Sequence, residues 1–421
     1  MKVLWFANTP CSAAERLGLN IASGGWLSSL EQELKNIPDI QLAICFYHHK
    51  PEKSFVINNV HFFPVYRKSQ KNKIRRIIDK MLYFKTICHN DKKEINELLN
   101  IINLYNPDII HVHGTEDNFG LIQFYTKKPV VISIQGLLNP YKEKYFSGIP
   151  KNIAVKYETF VRKLVFLSIK RKFKIFNKIA EREKIILKNS KNIIGRTDWD
   201  RRITRVLVPE SMYFVGNEIL RNSFYNSMWD KKQVGNIIKI TTITRDSLYK
   251  GFENIIKTAQ ILCENTNIAY IWKVIGVNTH SEIVNIVRKW ENIDIKNLHI
   301  EVLGTKNEQD VANILLDTDI FCQTSHIENS PNSLCEAMIL GMPIVATNAG
   351  GSSSILKDKE EGIIVQDGDP YAMAGAIYEL INDIDKAIFY GKNARITALK
   401  RHDKKEIANT IYTIYKTISI N

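Results

Sequence analysis

Short apolar runs alternate with amphipathic helical patterns along almost the whole chain, and this alternation restricts the fold more than any other feature of the sequence. Apolar runs of about four to eight residues between helical patterns are typical of parallel strands that helices cover on both faces. The first half contains candidate strands at residues 3–8, 41–46, 108–113, 130–135, 192–196 and 212–216. The second half contains candidates at residues 237–244, 270–275, 298–303, 319–324, 343–347 and 362–365. The sequence therefore predicts an α/β protein with doubly wound parallel sheets.

The length of the chain favours two domains rather than one. At 421 residues it is too long for one ordinary core, and it fits two domains of about 200 residues each. The last candidate strand of the first half ends near Gly216, which places the boundary within residues 217–225. We therefore expect a first domain at residues 1–220 and a second at residues 221–400.

The cysteines and the apolar segments indicate a cytoplasmic location. No two of the six cysteines form a Cys-x-x-Cys pair, and most lie in apolar runs, as reduced core thiols do. The apolar run in residues 1–8 is too short for a signal peptide. No window approaches the roughly 18 uninterrupted apolar residues of a transmembrane helix. We expect a protein that is not integral to a membrane.

Residues 328–351 carry the densest chemical pattern in the chain. Ser330 and Pro331 are expected to be the N-cap and the first residue of a helix that ends at Gly341. The N–H groups of its first turn would point outward at the positive end of the helix dipole, where a phosphate or a sugar hydroxyl binds well. These N–H groups belong to Asn332, Ser333 and Leu334.

Two carboxylates flank this helix start. Glu328 precedes the cap, and Glu336 lies about one turn inside the helix. A buried strand follows, and then the glycine pair Gly350 and Gly351. Carboxylates accept hydrogen bonds from hydroxyls, and backbone amides bind phosphate. The segment thus holds the groups that a sugar nucleotide requires.

This arrangement resembles the signature of the retaining GT-B glycosyltransferases, in particular the family-4 enzymes of bacterial capsule, O-antigen and exopolysaccharide assembly. That signature is a glutamate, seven residues, a second glutamate, a Gly-x-Pro strand and a Gly-Gly loop. The matching residues are Glu328, Glu336, residues 341–343, Gly350 and Gly351. Most members have a glycine after the first glutamate. Asn329 stands there in this chain, a variant associated with the polysaccharide-assembly branch.

The resemblance covers nearly the whole chain and implies the GT-B fold, with two Rossmann-like domains facing a cleft. The first domain would bind the acceptor, and the second would bind the nucleotide-sugar donor. The resemblance also implies that the last helix, within residues 401–421, crosses back onto the first domain. Doubly wound sheets bind ligands at the carboxyl ends of their strands, so residues that follow strands are the candidates for the site.

Two cations follow the first strand of the second half. Arg245 and Lys250 lie on either side of a turn that opens a helix, and two cations in such a place can clamp a diphosphate. The resemblance implies that they bind the donor diphosphate, with Glu336 on the ribose hydroxyls and Glu328 on the donor sugar. The open alternative is a pair of solvated loop cations.

The first domain offers two glycines and a histidine. Gly24 and Gly25 lie directly before an amphipathic run, where glycines let a backbone approach a phosphate, although a plain flexible loop has the same pattern. His113 ends a strand, and the resemblance implies that it reaches the transferred sugar. His111 lies on the same face of the strand, further from its end, and is expected to be structural.

Two more polar residues follow strands of the first domain. Gln135 stands where many family members have histidine. It cannot act as a base, so we expect it to hydrogen-bond the acceptor or the donor sugar. Arg196 follows the next strand, and we expect it to bind the donor phosphate or the acceptor.

An Asp-x-Asp pattern needs to be weighed as a metal site. Asp317 and Asp319 fit the pattern that holds a divalent metal in GT-A enzymes. They fall between a helix end and a buried strand, and nothing else in the sequence places hard oxygen ligands nearby. We therefore predict no metal, and no cofactor apart from the donor substrate.

The resemblance implies a retaining, metal-independent transfer of a hexose from a UDP- or GDP-sugar. Without a protein nucleophile, Arg245, Lys250 and the helix N–H groups would stabilise the departing diphosphate. A sugar-nucleotide 2-epimerase of the same fold and a non-catalytic nucleotide-sugar-binding partner remain open. The formal net charge of +14 would suit a nucleic-acid binder, but the sequence contains no nucleic-acid-binding module.

Basic charge is concentrated in residues 67–85 and 151–178, where lysines and arginines alternate with apolar residues at helical spacing. Basic amphipathic helices suit an anionic membrane surface, although their apolar stripes are also explained as core. Both runs fall in the domain expected to bind the acceptor. We therefore expect a peripheral enzyme at the inner face of the cytoplasmic membrane, with a lipid-linked oligosaccharide as acceptor.

Overall fold

The computed structural model describes residues 1–19, 25–67, 91–160, 162, 167–233 and 235–420. Gly24 and the basic run 67–85, apart from Arg67, lie outside the described residues. The chain divides into two compact units. Unit 1 comprises Met1–Lys142, Leu164–Ile219 and Asp403–Asn421, and unit 2 comprises Glu143–Lys163 and Leu220–His402.

Strands and helices alternate through most of the chain. The strands are β1 (Lys2–Phe6), β2 (Gln41–His48), β3 (Phe55–Ile57), β4 (Val60–Tyr66), β5 (Ile109–His113), β6 (Val130–Ser133), β7 (Asn192–Gly195), β8 (Met212–Val215), β9 (Ile238–Ile243), β10 (Tyr270–Ile275), β11 (Ile300–Gly304), β12 (Ile320–Gln323), β13 (Ile344–Thr347) and β14 (Ile363–Val365). The described helices are α1 (Gly25–Leu34), α2 (Asp91–Tyr105), α3 (Leu138–Glu143), α4 (Lys151–Tyr157), α5 (Ile169–Lys188), α6 (Asp198–Leu207), α7 (Asn222–Tyr225), α8 (Phe252–Asn265), α9 (Glu282–Trp290), α10 (Glu308–Leu316), α11 (Asn332–Leu340), α12 (Pro370–Asn382), α13 (Ile384–Arg401) and α14 (Lys404–Ile420).

The strands of unit 1 form one sheet in the order β3-β4-β2-β1-β5-β6-β7-β8. Among the described strands, β3 and β4 pair antiparallel and every other neighbouring pair is parallel. The strand order reverses between β1 and β5, because β2 lies on one side of β1 and β5 on the other. Sheets of this kind bind ligands outside the carboxyl ends of the strands at such a reversal, which is where β5 ends at His113.

The last helix completes the core of unit 1. Apolar side chains of α14 pack with those of β1, β2 and α1 in one buried cluster. The fully buried Tyr415 hydroxyl accepts a hydrogen bond from Trp5 Nε1 at 2.9 Å and lies 2.6 Å from His111 Nδ1. A buried hydroxyl needs such partners because an unpaired one would lose its bonds to water. The first and last parts of the chain thus share one core.

The sequence analysis missed β3 and β4. They form a hairpin in which Ile57 pairs with Val60, and the two-residue turn between them has positive φ at Asn58 (48°) and Asn59 (64°). Asparagine tolerates this left-handed conformation, which two-residue hairpin turns require. The Asn-Asn pair between apolar residues is the signal that could have revealed the hairpin.

Unit 2 contains a second sheet, in the order β11-β10-β9-β12-β13-β14, and its described pairs are all parallel. The strand order reverses between β9 and β12, since β10 lies on one side of β9 and β12 on the other. The loops that leave the carboxyl ends of β9 and β12 are therefore adjacent. They carry residues 244–251 and 324–331, which include three of the candidate site residues.

Residues 143–163 belong to unit 2, whereas the predicted first domain of residues 1–220 includes them. Helix α4 packs on α9. The backbone N–H of Thr159 donates to Glu282 Oε1 at 2.9 Å, and Arg162 Nε lies 3.1 Å from Glu282 Oε2. Ile149 and Ala154 are fully buried. The connection from β6 to α5 therefore contributes core and ion pairs to unit 2, and this corrects the first-domain bounds.

The predicted α/β class with two parallel-sheet, Rossmann-like domains is confirmed. Each predicted strand has a counterpart whose ends differ from the prediction by no more than two residues. The described helices include none that is long and apolar enough to cross a membrane.

Two glycines allow close packing between the strand-end loops of unit 2. Gly251 has φ of 71° and Gly350 has φ of 59°, a region that only glycine adopts at little cost. A Cβ atom on Gly251 would overlap the carbonyl of Thr324, and one on Gly350 would overlap the carbonyl of Glu328. Both contacts are with backbone, which cannot move aside as a side chain does.

Replacing Gly350 by alanine is expected to lower the free energy of unfolding by about 1–3 kcal/mol, because the variant adds backbone strain to an overlap. Gly375→Ala is the matched control. Gly375 is exposed within α12 and has open space around it, so alanine there should stabilise by about 0.5–1 kcal/mol. Urea unfolding of both variants measures the difference. Equal effects would contradict the packing described here.

Candidate active site

Helix α11 begins one residue later than the sequence indicates. Pro331, with φ of −73° and ψ of 112°, is the N-cap, and Asn332 is the first helical residue. Ser330 was expected to be the cap, and this prediction is wrong. The prediction that the helix ends at Gly341 is confirmed, because Gly341 has φ of 79° in the left-handed region. The helix start and end are thus set by a proline and a glycine without a side-chain cap.

The N–H groups of this first turn are not equivalent. Those of Asn332 and Ser333 have no hydrogen-bond partner within the described part of the chain, and both residues are half-buried. The N–H of Leu334 donates to the carbonyl of Pro331 at 3.0 Å, and Leu334 is fully buried. The prediction that Leu334 offers a free N–H is therefore wrong. Two N–H groups remain for an anion at this end of the helix.

Glu328 and Lys250 form an ion pair that the sequence did not indicate. Lys250 Nζ lies 2.5 Å from Glu328 Oε1. The Glu328 side chain is 9% exposed, and that of Lys250 is 18% exposed, so the pair is partly shielded from water. The backbone of Glu328 is fixed as well, because its carbonyl accepts the N–H of Gly351 at 3.0 Å. The glycine pair thus holds the backbone that carries this carboxylate.

Arg245 lies on the same loop as Lys250 but is not part of this pair. Arg245 is exposed, and its side chain makes no hydrogen bond or ion pair with another described residue. Gly251 separates Lys250 from helix α8 in the left-handed conformation. The loop after β9 therefore presents one held cation and one that is available to an anionic ligand.

Glu336 is held by an arginine that the sequence analysis missed. Arg221 donates from Nε to Oε1 and from Nη2 to Oε2 of Glu336, both at 2.7 Å. The guanidinium also lies 4.9 Å from the centre of the Phe224 ring. Burial raises the pKa of Glu336, and Arg221 opposes that rise. Burial works against the charge of Arg221, but its bonds to Glu336 raise its pKa.

No local pattern could have revealed Arg221. It lies 115 positions from Glu336, in the segment that the sequence analysis assigned only to the domain boundary. A bidentate guanidinium–carboxylate pair fixes the plane of the carboxylate. Glu336 was predicted to accept ribose hydroxyls. Its remaining lone pairs are directed by Arg221, so any hydroxyl must share the carboxylate with this guanidinium.

The two histidines of β5 have different surroundings. His111 contacts Tyr415 through Nδ1 and Ser133 Oγ through Nε2, both at 2.6 Å, so neither nitrogen remains for a ligand. Burial and the charge of Arg196 lower the pKa of His111 to about 3. His113 is equally buried, but neither of its ring nitrogens has a partner among the described residues. Burial, His111 and Arg196 lower the pKa of His113 well below its ordinary value.

The other predicted residues of unit 1 follow neighbouring strands. Gly25 is the first residue of α1, and Gln135 is half-buried two residues beyond β6. Arg196 directly follows β7 and is buried, with its guanidinium 4.1 Å from the centre of the Trp26 ring. Its Nε lies 3.4 Å from Glu218 Oε2. The Trp26 and Glu218 contacts orient Arg196, and Gly24 is outside the described residues.

Glu116 is a further candidate that the sequence analysis missed. It lies three residues after His113, and its Oε2 atom is buried without a hydrogen-bond partner in the described chain. The atom packs against Gly114, whose φ of 97° excludes most other residues. Burial raises the pKa of Glu116 to about 7, with Glu183 adding to the rise. Glu116 is therefore a carboxyl group that changes charge near neutral pH, beside the predicted sugar-binding histidine.

The Asp-x-Asp residues are paired with lysines at the other end of the unit 2 sheet. Asp317 Oδ1 lies 2.5 Å from Lys239 Nζ, and Asp319 Oδ1 lies 2.7 Å from Lys231 Nζ. Partial burial works against the charge of Asp317, but the bonds from Lys239 and Lys273 lower its pKa. Both aspartates precede β12, whereas Glu328 follows it. They are structural ion pairs at the amino end of the strand.

Residues 227–397 match the family described as Glycosyl transferases group 1. N-acetyl-alpha-D-glucosaminyl L-malate synthase of Bacillus anthracis is 29% identical over 29% of this chain and 32% of its own length. The 2-deoxystreptamine N-acetyl-D-glucosaminyltransferase of Niallia circulans is 23% identical over 72% of each chain. The capsular polysaccharide biosynthesis glycosyltransferase CapM of Staphylococcus aureus is 26% identical over 38% of this chain and 48% of its own.

The chain spans about a third of the length of the curated relatives first matched, 32% for the B. anthracis enzyme. Sucrose-phosphate synthase from Thermosynechococcus elongatus superposes with a TM-score of 0.69 at 16% identity, over 99% of this chain and 98% of its own. Anabaena HepE in complex with UDP and glucose gives 0.62 at 16%, over 98% of each chain. The fold is therefore that of the GT-B glycosyltransferases.

We predict that Arg221→Met destabilises the protein by about 3–5 kcal/mol at pH 8, because it leaves Glu336 buried and charged without its partner. The cost should shrink as the pH falls. Without Arg221, burial holds the pKa of Glu336 above its unfolded value, so proton binding in the folded state recovers stability at low pH. Urea unfolding at pH 8 and pH 5.5 measures both effects.

The double variant Arg221→Met/Glu336→Gln is the control for this prediction. It removes the buried charge together with its partner, so it should recover most of the stability at pH 8 and lose the extra pH dependence. A double variant that is as unstable as Arg221→Met would show that the loss comes from packing rather than from the carboxylate.

Proposed function

We propose that this chain is a retaining, metal-independent glycosyltransferase. It moves a hexose-type sugar from a UDP- or GDP-sugar to a glycan acceptor, carried on a lipid, in surface polysaccharide assembly. The observation that carries the proposal is the Lys250–Glu328 pair beside the unpartnered N–H groups of Asn332 and Ser333 in unit 2. The cation and the two amide donors suit the diphosphate of a nucleotide sugar, and the carboxylate suits its sugar.

The charges on the reacting groups explain this division of roles. Breaking the bond between the anomeric carbon and the diphosphate leaves negative charge on phosphate and positive charge on the sugar ring. Arg245, Lys250 and the helix N–H groups stabilise the phosphate, and the loss of one such donor typically costs a factor of about 10²–10³ in rate. The carboxylate of Glu328 favours the cationic ring. Lys250 carries three donors, so it can contact phosphate while still paired with Glu328.

The remaining site residues are proposed to bind the substrates and not to stabilise the charges that develop during the reaction. Arg221 holds the carboxylate of Glu336 in a fixed plane, which favours two hydroxyls on adjacent carbons of a ribose. The lowered pKa of His113 keeps its imidazole neutral, with one donor and one acceptor for a sugar hydroxyl. Arg196, Gln135 and Gly25 follow strands of unit 1 and are proposed to bind the acceptor or the donor phosphate.

The names of similar proteins support the choice of substrates. CapM is named for capsular polysaccharide biosynthesis, and HepE was solved with UDP and glucose. A UDP-sugar donor and a polysaccharide acceptor are therefore the first substrates to test. The basic run that continues in α5 suits an acceptor at an anionic membrane surface.

The direct test is incubation of the purified protein with radiolabelled UDP- and GDP-hexoses. Slow release of labelled free sugar is expected, and it should persist in excess EDTA. Asp317→Asn is the matched control for the metal question and should leave the rate unchanged. No release from any donor, or a labelled 2-epimer, would overturn the proposal. Loss of activity that magnesium restores would overturn the metal-independent mechanism.

The two glutamates should separate in kinetics. We predict that Glu336→Ala mainly weakens donor binding and that Glu328→Ala mainly lowers turnover, because one is assigned to ribose and the other to the reacting sugar. A hydrogen bond to a charged group contributes roughly 1.5–3 kcal/mol, which corresponds to a factor of about 10–150. Calorimetry of nucleotide binding and initial rates of donor hydrolysis measure the two effects. Wild-type values for both variants would refute the assignment.

Membrane binding gives a separate prediction. Reversing Arg75, Arg76, Lys170 and Lys172 to glutamate should weaken salt-sensitive binding to anionic liposomes, since each basic residue near the surface contributes about 1 kcal/mol. Reversing four exposed lysines of unit 2 changes the net charge equally and is the control; these are Lys289, Lys296, Lys359 and Lys392. Cosedimentation at low and high salt measures binding. Equal loss from both quadruple variants, or no binding by the wild type, would exclude a specific basic surface.

A further inference from the structure

A buried histidine lies between two carboxylates in the loop that carries Glu328. His326 is 3% exposed, and its Nε2 lies 2.5 Å from Glu253 Oε1. Its Nδ1 lies 3.4 Å from Asp367 Oδ2. Glu253 belongs to the first turn of α8, and Asp367 follows β14. One imidazole therefore joins the loop after β12 to two other parts of unit 2.

The backbone on either side of His326 is tied to the same strand-end loops. The N–H of His326 donates to the carbonyl of Tyr249 at 2.9 Å, and Tyr249 precedes Lys250. Thr347, at the end of β13, donates from its hydroxyl to the carbonyl of Ser325 at 2.6 Å. Glu328 lies two residues further along. Its distance from Lys250 thus depends on a loop that His326 anchors through both side chain and backbone.

Residues 143–160, which we name the arm, contact this histidine and one of its carboxylate partners. Gly148, with φ of 79°, lies so close that a Cβ atom would overlap both the Glu253 carboxylate and the His326 ring. Lys144 Nζ lies 3.2 Å from Asp367 Oδ2. The arm is held on its other side by Glu282, as described above. It therefore contacts the histidine and neutralises one of the two carboxylates.

The charge of His326 follows from these neighbours. Among the described residues, the charged groups that face it are Glu253 from α8 and Asp367 from the loop after β14, with Lys144 paired to Asp367 from the arm. Burial lowers the pKa of His326, but hydrogen bonds to Glu253 and Asp367 outweigh it and raise the pKa. An imidazolium donates from both nitrogens, which a neutral imidazole cannot do.

We propose that His326 is a positioning residue for the transfer reaction, holding the loop of Glu328 at its working distance from Lys250, and that the arm is part of this device. The inference rests on the proposed function. The inference goes beyond the proposed function because it assigns a role to residues that need not touch the donor.

The pH dependence follows from the direction of the pKa shift. A group whose pKa is raised on folding stabilises the folded state fully below its unfolded value, which is about 6.5 for histidine. That contribution is lost as the pH rises through the raised pKa. Turnover should therefore fall on the alkaline side as His326 loses its proton and one carboxylate loses a donor. Glu253→Gln weakens the stabilising charge and should move this fall to lower pH.

The test compares full-length His326→Ala and Glu253→Gln with the wild type. We expect His326→Ala to lower the turnover of donor hydrolysis at least tenfold while the affinity for UDP or GDP changes less than threefold. It should also remove the alkaline fall. Amide hydrogen exchange of residues 324–330 should accelerate at least tenfold in the variant. This last measurement needs no enzymatic activity.

Glu379→Gln is the matched control for Glu253→Gln, because it removes a carboxylate of the same unit that pairs with Lys386 on the surface. It should leave the pH profile unchanged. Gly148→Ala disturbs the same loop by steric overlap with His326 and Glu253. It should raise the hydrogen exchange of residues 324–330 without changing any ionisable group. If His326→Ala does not fold, Gly148→Ala and Glu253→Gln decide the question alone.

The outcomes separate this inference from the proposed function. Unchanged exchange of residues 324–330 in the folded variants overturns the positioning role, whatever the activity. Turnover and nucleotide affinity that fall in parallel also overturn it, since they indicate general damage to unit 2. If the wild type hydrolyses no sugar nucleotide, the proposed function is overturned. Faster hydrogen exchange in the variants would then still show that His326 anchors the loop.

Discussion

The candidate site of unit 2 depends on a close approach of backbone to backbone at Glu328. The carbonyl of Glu328 accepts the N–H of Gly351 and lies against the Cα atom of Gly350, while Gly251 packs in the same way on Thr324. Because these contacts exclude a Cβ atom, they bring three strand-end loops within one hydrogen bond of each other. The carboxylate of Glu328 meets Lys250 as a result. Its position is thus determined by glycines that have no chemistry of their own.

The carboxylates of unit 2 share a second constraint. Glu328, Glu336 and Asp319 are each at least nine-tenths buried, and each is paired with a lysine or an arginine. Burying a charged carboxylate without a partner is costly, so each of these carboxylates requires its cation whether or not it also acts in catalysis. In the strand-end loops, the charge of Lys250 balances that of Glu328. A diphosphate would then be attracted by Arg245 and the helix terminus rather than repelled by the glutamates.

The strands and the glutamate motif could be predicted because their signals are local. Apolar runs predicted all strands except β3 and β4 to within two residues, and Gly341 predicted the end of α11. Side-chain partners that are distant in sequence gave no such signal. Arg221 and Glu336 are 115 positions apart, and His326 reaches back 73 positions to Glu253. No periodicity connects such residues, so their pairing becomes visible only once the sheet has placed them.

Helix α14 has a consequence for how the chain is made. Its apolar face fills the core of unit 1, and Tyr415 joins Trp5 and His111 within that core. Unit 2 lies between these parts in the chain. A ribosome therefore delivers every residue of unit 2 before it delivers the segment that completes unit 1. Domains usually fold in the order of synthesis. In this chain, unit 2 is the first unit whose residues are all synthesised. Until α14 is synthesised, part of the apolar surface of the amino-terminal sheet stays exposed.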